Sequence, residues 1–216
     1  MRRQLLNIAI SILAIHMLLA SSTAGASSNF VQIGLPNNVS IEIPRNWIVL
    51  SANQRITLDS AVESRLDLSG LKIDASTLPF AANLYDDSGA TIGMVNIRFY
   101  PGIDLSQADV IASTTNDVIE LDKVLKRQAL ASVKGTGIRV TSWNGTKLSE
   151  INGITVFVTE YTRTARDGVN QFIVRLVRVF ASDQSFTLTV SYKDSVEVLV
   201  GPITDRIIGS LIWAPK

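Results

Sequence analysis

The sequence predicts an α+β fold in which a central antiparallel sheet is covered by helices on both faces, an α/β/α sandwich. Three observations carry this prediction. First, long alternating segments between residues 138 and 192 are joined by Asn144-Gly145, Asn152-Gly153 and Asp167-Gly168. Such dipeptides favour hairpins, so the second half of the chain reads as a meander. Second, pairing Ile154–Thr164 with Val169–Ala181 across Asp167-Gly168 places Glu160 opposite Arg175 and leaves both faces apolar. One face carries Ile154, Val156, Val158, Ile173, Val177 and Val179, and the other Phe157, Tyr161, Phe172, Val174, Leu176 and Phe180. An antiparallel sheet commonly wets one face, so this one needs two covering layers. Third, three segments with helical spacing are available to supply them.

The elements follow in order. Val39, Ile41 and Ile43 alternate and predict a strand, which Pro44-Arg45-Asn46 turns into a second one over Trp47–Leu50. Leu58, Val62 and Leu66 change the period to a helix, with Ser60 and Glu63, Thr57 or Asp59 as caps, and residues 67–77 read as loop. Phe80–Tyr85 and Thr91–Tyr100 are strands around the turn Asp86-Asp87-Ser88-Gly89. A metal at Asp86 and Asp87 would need more ligands than the sequence offers there, since calcium takes about six to eight oxygens.

The longest helix starts at Asp104, with Gln107 as its capping-box partner. It carries Ile111, Val118, Leu121, Leu125 and Ala129 as a stripe and stops at Gly135 and Gly137. Ser113-Thr114-Thr115-Asn116 is poor helix material and predicts a break. Ile138–Trp143 is a strand, and Asp183-Gln184 is the last turn before a strand over Ser185–Tyr192 with Phe186, Leu188, Val190 and Tyr192 on one face. Val196, Val200, Ile203, Ile207 and Leu211 then form a closing helix. Pro202 inside it predicts that the helix starts or restarts there, because an interior proline removes a hydrogen bond.

The chain opens with Met1-Arg2-Arg3, an apolar run over residues 5–20 and Ala24-Gly25-Ala26, the pattern of a signal peptide cleaved after Ala26. Residues 1–26 are therefore read as a signal peptide and 27–216 as one exported domain, soluble after cleavage. The alternative is a retained anchor, although the run falls short of the roughly 20 residues a span needs. Without Arg2 and Arg3 the balance is 18 Lys and Arg against 19 Asp and Glu. Near-neutrality argues against a nucleic-acid partner held by bulk charge. Cysteine is absent, and an exported domain without disulfides suits a bacterial periplasm. The single histidine, His16, lies in the signal segment. Ser-His-Asp and Cys-His catalysis and His- or Cys-ligated metals or haem are thereby removed from residues 27–216, and no cofactor is expected.

Ile41-Glu42-Ile43-Pro44-Arg45-Asn46-Trp47, the late strand Phe186–Tyr192 and the terminal Ile208-Gly209-Ser210-Leu211-Ile212-Trp213 together resemble the PsbP-like superfamily. That superfamily includes the nuclear Ran guanine-nucleotide release factor and exported bacterial proteins of unknown role. The resemblance covers most of residues 33–213. It implies a central antiparallel sheet flanked by helices, and small accessory or binding proteins without a common catalytic apparatus. A zinc or manganese site in photosystem members uses histidine, so that role does not transfer to a histidine-free domain.

The functional expectation is a periplasmic, non-enzymatic accessory or binding protein with an envelope protein or complex as partner. Trp47, Trp143, Tyr161, Arg163 and Arg166, near strand ends, are the candidate partner surface, because Trp, Tyr and Arg are common interface anchors. Their plainer reading is the rim of the core. Glu160 with Arg175 is most simply a cross-strand ion pair. Two alternatives stand beside this: an envelope hydrolase with paired carboxylates, to be sought among Glu42, Glu160 and Asp86, and a subunit associated with a membrane complex.

Overall fold

A computed structural model describes residues 29–58, 77–101, 105–181 and 184–214. The expected signal peptide 1–26, most of the expected helix 58–68, the Asp104 cap and most of the Asp183-Gln184 turn lie outside the described residues. Two antiparallel sheets are present. The smaller one consists of β1 (Phe30–Leu35), β2 (Val39–Pro44) and the terminal β10 (Ile212–Trp213), in the order β1-β2-β10. The larger contains β3 (Ile48–Val49), β4 (Thr77–Tyr85), β5 (Thr91–Pro101), β6 (Val140–Ile151), β7 (Ile154–Thr164), β8 (Gln171–Ala181) and β9 (Gln184–Lys193). Its order is β3-β4-β5-β9-β8-β7-β6.

Each face of the large sheet has a cover. On one side lie α4 (Glu197–Gly209), packed on β9 and β2, and the small sheet. Val39, Ile41 and Ile43 of β2 and Val200, Ile207 and Leu211 join Val156, Val177, Leu188 and Val190 in one buried core. On the other side lie α2 (Gln107–Ile111), against β7 and β8, and α3 (Thr115–Ser132), against β6. They bury Val110 and Leu125.

The apolar pattern of that second face holds over β7 and β8, interrupted by Thr159 and Arg178. It does not extend across the sheet. In register with Arg178 stand Thr187 of β9 and Arg98 of β5, and the hydroxyls of Ser185 and Ser191 are buried on the same strand. Alternation in β9 puts every large apolar side chain, Tyr192 included, toward α4 and the Ser and Thr hydroxyls toward the other side.

Several boundaries differ from the sequence reading. The strand over Trp47–Leu50 contracts to Ile48–Val49, because the turn after Pro44 tips Trp47 into the core. A helix, α1, covers 52–58, ahead of most of the expected span 58–68, which lies outside the described residues. Its cap is Ser51, whose N–H donates to Gln54 Oε1 at 2.8 Å while its Oγ accepts from Gln54 N at 3.3 Å. The predicted cap pair Asp104 and Gln107 is replaced by Ser106 and Asp109, and the predicted break is present. A second capping box, Thr114 with Asp117, starts α3 afresh.

Gln107 does different work. Its amide donates to Thr155 O at 3.1 Å and Phe180 O at 2.9 Å and accepts from Thr155 N at 3.1 Å, plugging the end of the ladder between β7 and β8.

Asn144-Gly145 does not turn the chain. β6 runs through it with a bulge, and Gly145 takes φ +93°, which a side chain would strain. Across Asp167-Gly168 the predicted register is found, with Glu160 opposite Arg175 and Thr164 opposite Gln171. The tip is longer than two residues: Ala165 N donates to Asn170 O at 2.6 Å, and Asp167 Oδ1 accepts from Val169 N at 2.8 Å. Pro202 neither starts nor breaks α4. Gly201 before it has no Cβ to clash with the ring. The carbonyl left without a donor belongs to Val198, whose residue is 89% exposed, so water can serve it.

Candidate functional site

The large sheet ends at β6, and among the described residues this strand pairs with β7 alone. Because α4 packs farther in, over β9, a groove of about 480 Å³ opens between α4 and the sheet edge. Register decides which side chains line it. Lys147, Ser149 and Ile151 of β6 stand opposite Val158, Val156 and Ile154 of β7 on the α4 side, and Ile208 and Gly209 form the helical wall. One end of the groove is apolar, with Ile151, Val158 and Ile208.

The other end is ionic. Arg175 Nε donates to Glu160 Oε2 at 2.6 Å, and Arg175 Nη1 donates to Asp205 Oδ1. Asn144 Nδ2 donates to the remaining Glu160 oxygen at 2.7 Å. Burial opposes the Glu160 charge, yet the bonds from Asn144 and Arg175, with the positive charges of Arg175 and Lys147, outweigh it and hold the carboxyl below its ordinary range. Tyr192 lies beneath. Its ring is buried, burial raises its pKa, and its hydroxyl lies against α4, 3.6 Å from where a Cβ on Gly201 would be.

The shift of Glu160 bears on one catalytic role, that of a general acid. A general acid needs a carboxyl raised toward neutral pH, and Glu160 is shifted the other way. Glu42 is bonded to Arg206 at 2.9 Å, and the Asp86 carboxylate accepts from Ser88 N and Ala90 N, both at 3.0 Å, inside its turn. The three carboxylates weighed as a catalytic set are thus engaged with different partners. No group of three or more His, Cys, Asp and Glu suited to a metal occurs among the described residues.

The five residues expected to form a partner surface have different surroundings. Trp47 is a correction: it is 3% exposed, with Gly93 so close that a Cβ there would sit 3.3 Å from its ring. A large aromatic after the Pro44 turn fills the core. Trp143 and Tyr161 stack at 5.4 Å on the α3 side, and the Trp143 indole donates to Asp122 Oδ1 at 2.9 Å, which makes this pair part of the α3 interface. Arg163 lies over Phe172, 5.5 Å from the ring centroid. Arg166 is exposed at the hairpin tip. Sequence reasoning found Glu160 and Arg175 through register. It missed Asp205, an outer helix position thirty residues beyond Arg175, and it read Asn144 as a turn residue. The positive charge of Lys147 beside Glu160 on the face that Gly145 begins was the available signal.

No family model matches the chain, and no curated protein matches it. Solved structures do. The solution structure of cyanobacterial PsbP (CyanoP) from Synechocystis sp. PCC 6803 is similar at TM-score 0.52 and 11% identity, over 90% of this chain and 99% of that one. LpqN of Mycobacterium tuberculosis, described as involved in cell envelope biogenesis, is similar at TM-score 0.47 and 11% identity, over 86% and 91%. The Saccharomyces cerevisiae Ran-binding protein Mog1p is similar at TM-score 0.44 and 10% identity, over 88% and 97%. The likeness to cyanobacterial PsbP shows a PsbP-like fold, as the sequence resemblance implied.

Proposed function

We propose, with the PsbP-like fold as premise, that this chain is an exported, non-enzymatic accessory protein that binds an envelope protein or complex through the groove beside β6. One observation carries the reading: the groove follows an open strand edge, and its Glu160, Arg175 and Asp205 are committed to one another. Such a site offers shape, an apolar end and a fixed set of dipoles, which suits recognition. The Arg2-Arg3 start, the apolar run and the Ala24-Gly25-Ala26 site support export. A hydrolase reading asks for a protonated carboxyl in the groove, and the direction of the Glu160 shift argues against it.

The test is site-specific photocrosslinking in the producing cell, with a photoreactive residue at Lys147 or Ser149 and a control at Asp87 in the β4–β5 turn. A discrete adduct from the groove positions and none from Asp87 is expected. Equal labelling at all three, or no adduct from the groove, overturns the reading. N-terminal sequencing of the same sample should find Ser27; an intact Met1 on a membrane-retained chain would replace export by anchoring.

A further inference from the structure

Away from the groove, the charge of this nearly neutral chain is segregated. From Lys123 to Ser149 the sequence contains no Asp or Glu and six Lys and Arg. The fold adds a second basic segment to the first. Thr164 N donates to Arg139 O at 2.8 Å, and a Cβ on Gly137 would lie 3.4 Å from Arg166 O, so the hairpin tip after β7 rests on the loop that follows α3. Lys126, Arg127, Lys134, Arg139 and Arg166 are all exposed there. Ion pairs among the described residues involve Lys123, Arg175 and Arg206, and not these five. The one carboxylate at the tip, Asp167, is tied into its turn by Val169 N, Asn170 N and Asn170 Nδ2. Apolar side chains stand out among the cations: Val169 is 81% exposed and Leu130 47%.

Helix-dipole complementation acts within the last turn, which in α3 holds no cation, so it leaves Lys126 and Arg127 unexplained. Nor does it account for Arg139 and Arg166, which belong to no helix, or for a valine at the projecting tip between them. We infer that this surface, formed by the end of α3, the loop 133–139 and the hairpin tip 165–170, docks on an anionic phospholipid bilayer. Guanidinium and ammonium groups would meet headgroup phosphates while Val169 and Leu130 enter the interface. The other occupant with matching charge is an acidic polypeptide. A projecting tip with an aliphatic side chain at its end suits a deformable interface better than the face of a folded partner.

The experiment is flotation of the exported protein with vesicles of phosphatidylcholine, alone or mixed in equal parts with phosphatidylglycerol. Binding to the mixed vesicles only, weakened by salt, is expected. Each surface cation contributes about a fivefold factor, so Arg139→Gln with Arg166→Gln should weaken binding about 25-fold. Val169→Asp should weaken it too, and Arg45→Gln, on the turn after β2, should not. All these positions are exposed, and an unchanged melting temperature confirms that each variant is folded. Equal binding to both vesicles, no binding, or indifference to the double substitution overturns the inference. So does capture by polyglutamate with no vesicle binding, which would assign the surface to an acidic polypeptide.

Discussion

Replacing Arg175 by Met removes the hub of the groove's ionic end while keeping an aliphatic stem. The side chains of Arg175 and Glu160 are 22% and 32% exposed, and that of Asp205 is 63% exposed. Breaking a fully buried pair costs about 3–5 kcal/mol, and an exposed pair contributes less than about 1. The Glu160 pair lies between these limits and the Asp205 pair near the second, so the loss should be about 2 kcal/mol. For a chain of this size that lowers the melting temperature by about 4–8 °C.

The pH dependence discriminates further. Glu160 has a folded pKa below its unfolded one, so its contribution is present above the ordinary carboxylate range and is lost as pH falls through the folded value. Without Arg175 only the Asn144 bond and the Lys147 charge remain to offset burial, so the folded pKa of Glu160 rises toward its ordinary value and most of that contribution is lost. The destabilisation by Arg175→Met should therefore be largest near pH 7 and shrink steadily as pH falls through 4. Urea unfolding of the wild type, Arg175→Met, Glu160→Gln and the double variant across that range measures it. The cycle should return a coupling of about 1 kcal/mol or more at pH 7. A loss below about 0.5 kcal/mol, or one that does not change with pH, would refute the reasoning.

Three further outcomes follow from the packing. Gln107→Ala strands Thr155 N–H and two carbonyls at the splayed end of β7 and β8, and should cost about 2–3 kcal/mol in urea unfolding with an unchanged m value. Leu125→Ala, at a position 7% exposed and the buried residue of α3, should cost about 2–4 kcal/mol by thermal unfolding. Pro202→Ala restores a helical donor to Val198 O and should raise stability by about 1 kcal/mol, read as a higher melting temperature.

The meander was legible because a period of two, combined with turn dipeptides, fixes register. That is why the pairing of Glu160 with Arg175 follows from the sequence alone. Hydroxyl-rich helix termini were legible as well: Ser113 to Asn116 announced the break between α2 and α3. What could not be read depends on contacts across the fold. β10, from the far end of the chain, pairs with β2 on the side away from β1, and nothing in Val39–Pro44 signals that partner. Asn144-Gly145 has turn chemistry, yet the ladder with β7 continues past it and turns the same positive φ into a bulge. Trp47 looked like a surface anchor from its neighbours; its burial depends on Gly93, forty-six residues later.

Glu160, Arg175 and Asp205 also bear on why the groove exists. Taking these charges partly out of water is costly, and three well-packed aliphatic residues would stabilise the same strand–helix contact at least as well. Aliphatics were within easy reach of this sequence, since Val158, Val177 and Ile208 occupy neighbouring positions on the same elements. Filling the ionic end in that way would let α4 close onto β7 and β8 and remove the groove. Charges kept there are consistent with α4 standing over β9 and the groove remaining between it and β6. The ionic end is therefore better understood as a spacer with defined hydrogen-bonding directions than as a stabilising clamp. On that account Arg175→Met should narrow the groove and abolish crosslinking from Ser149 even at temperatures where the variant remains folded.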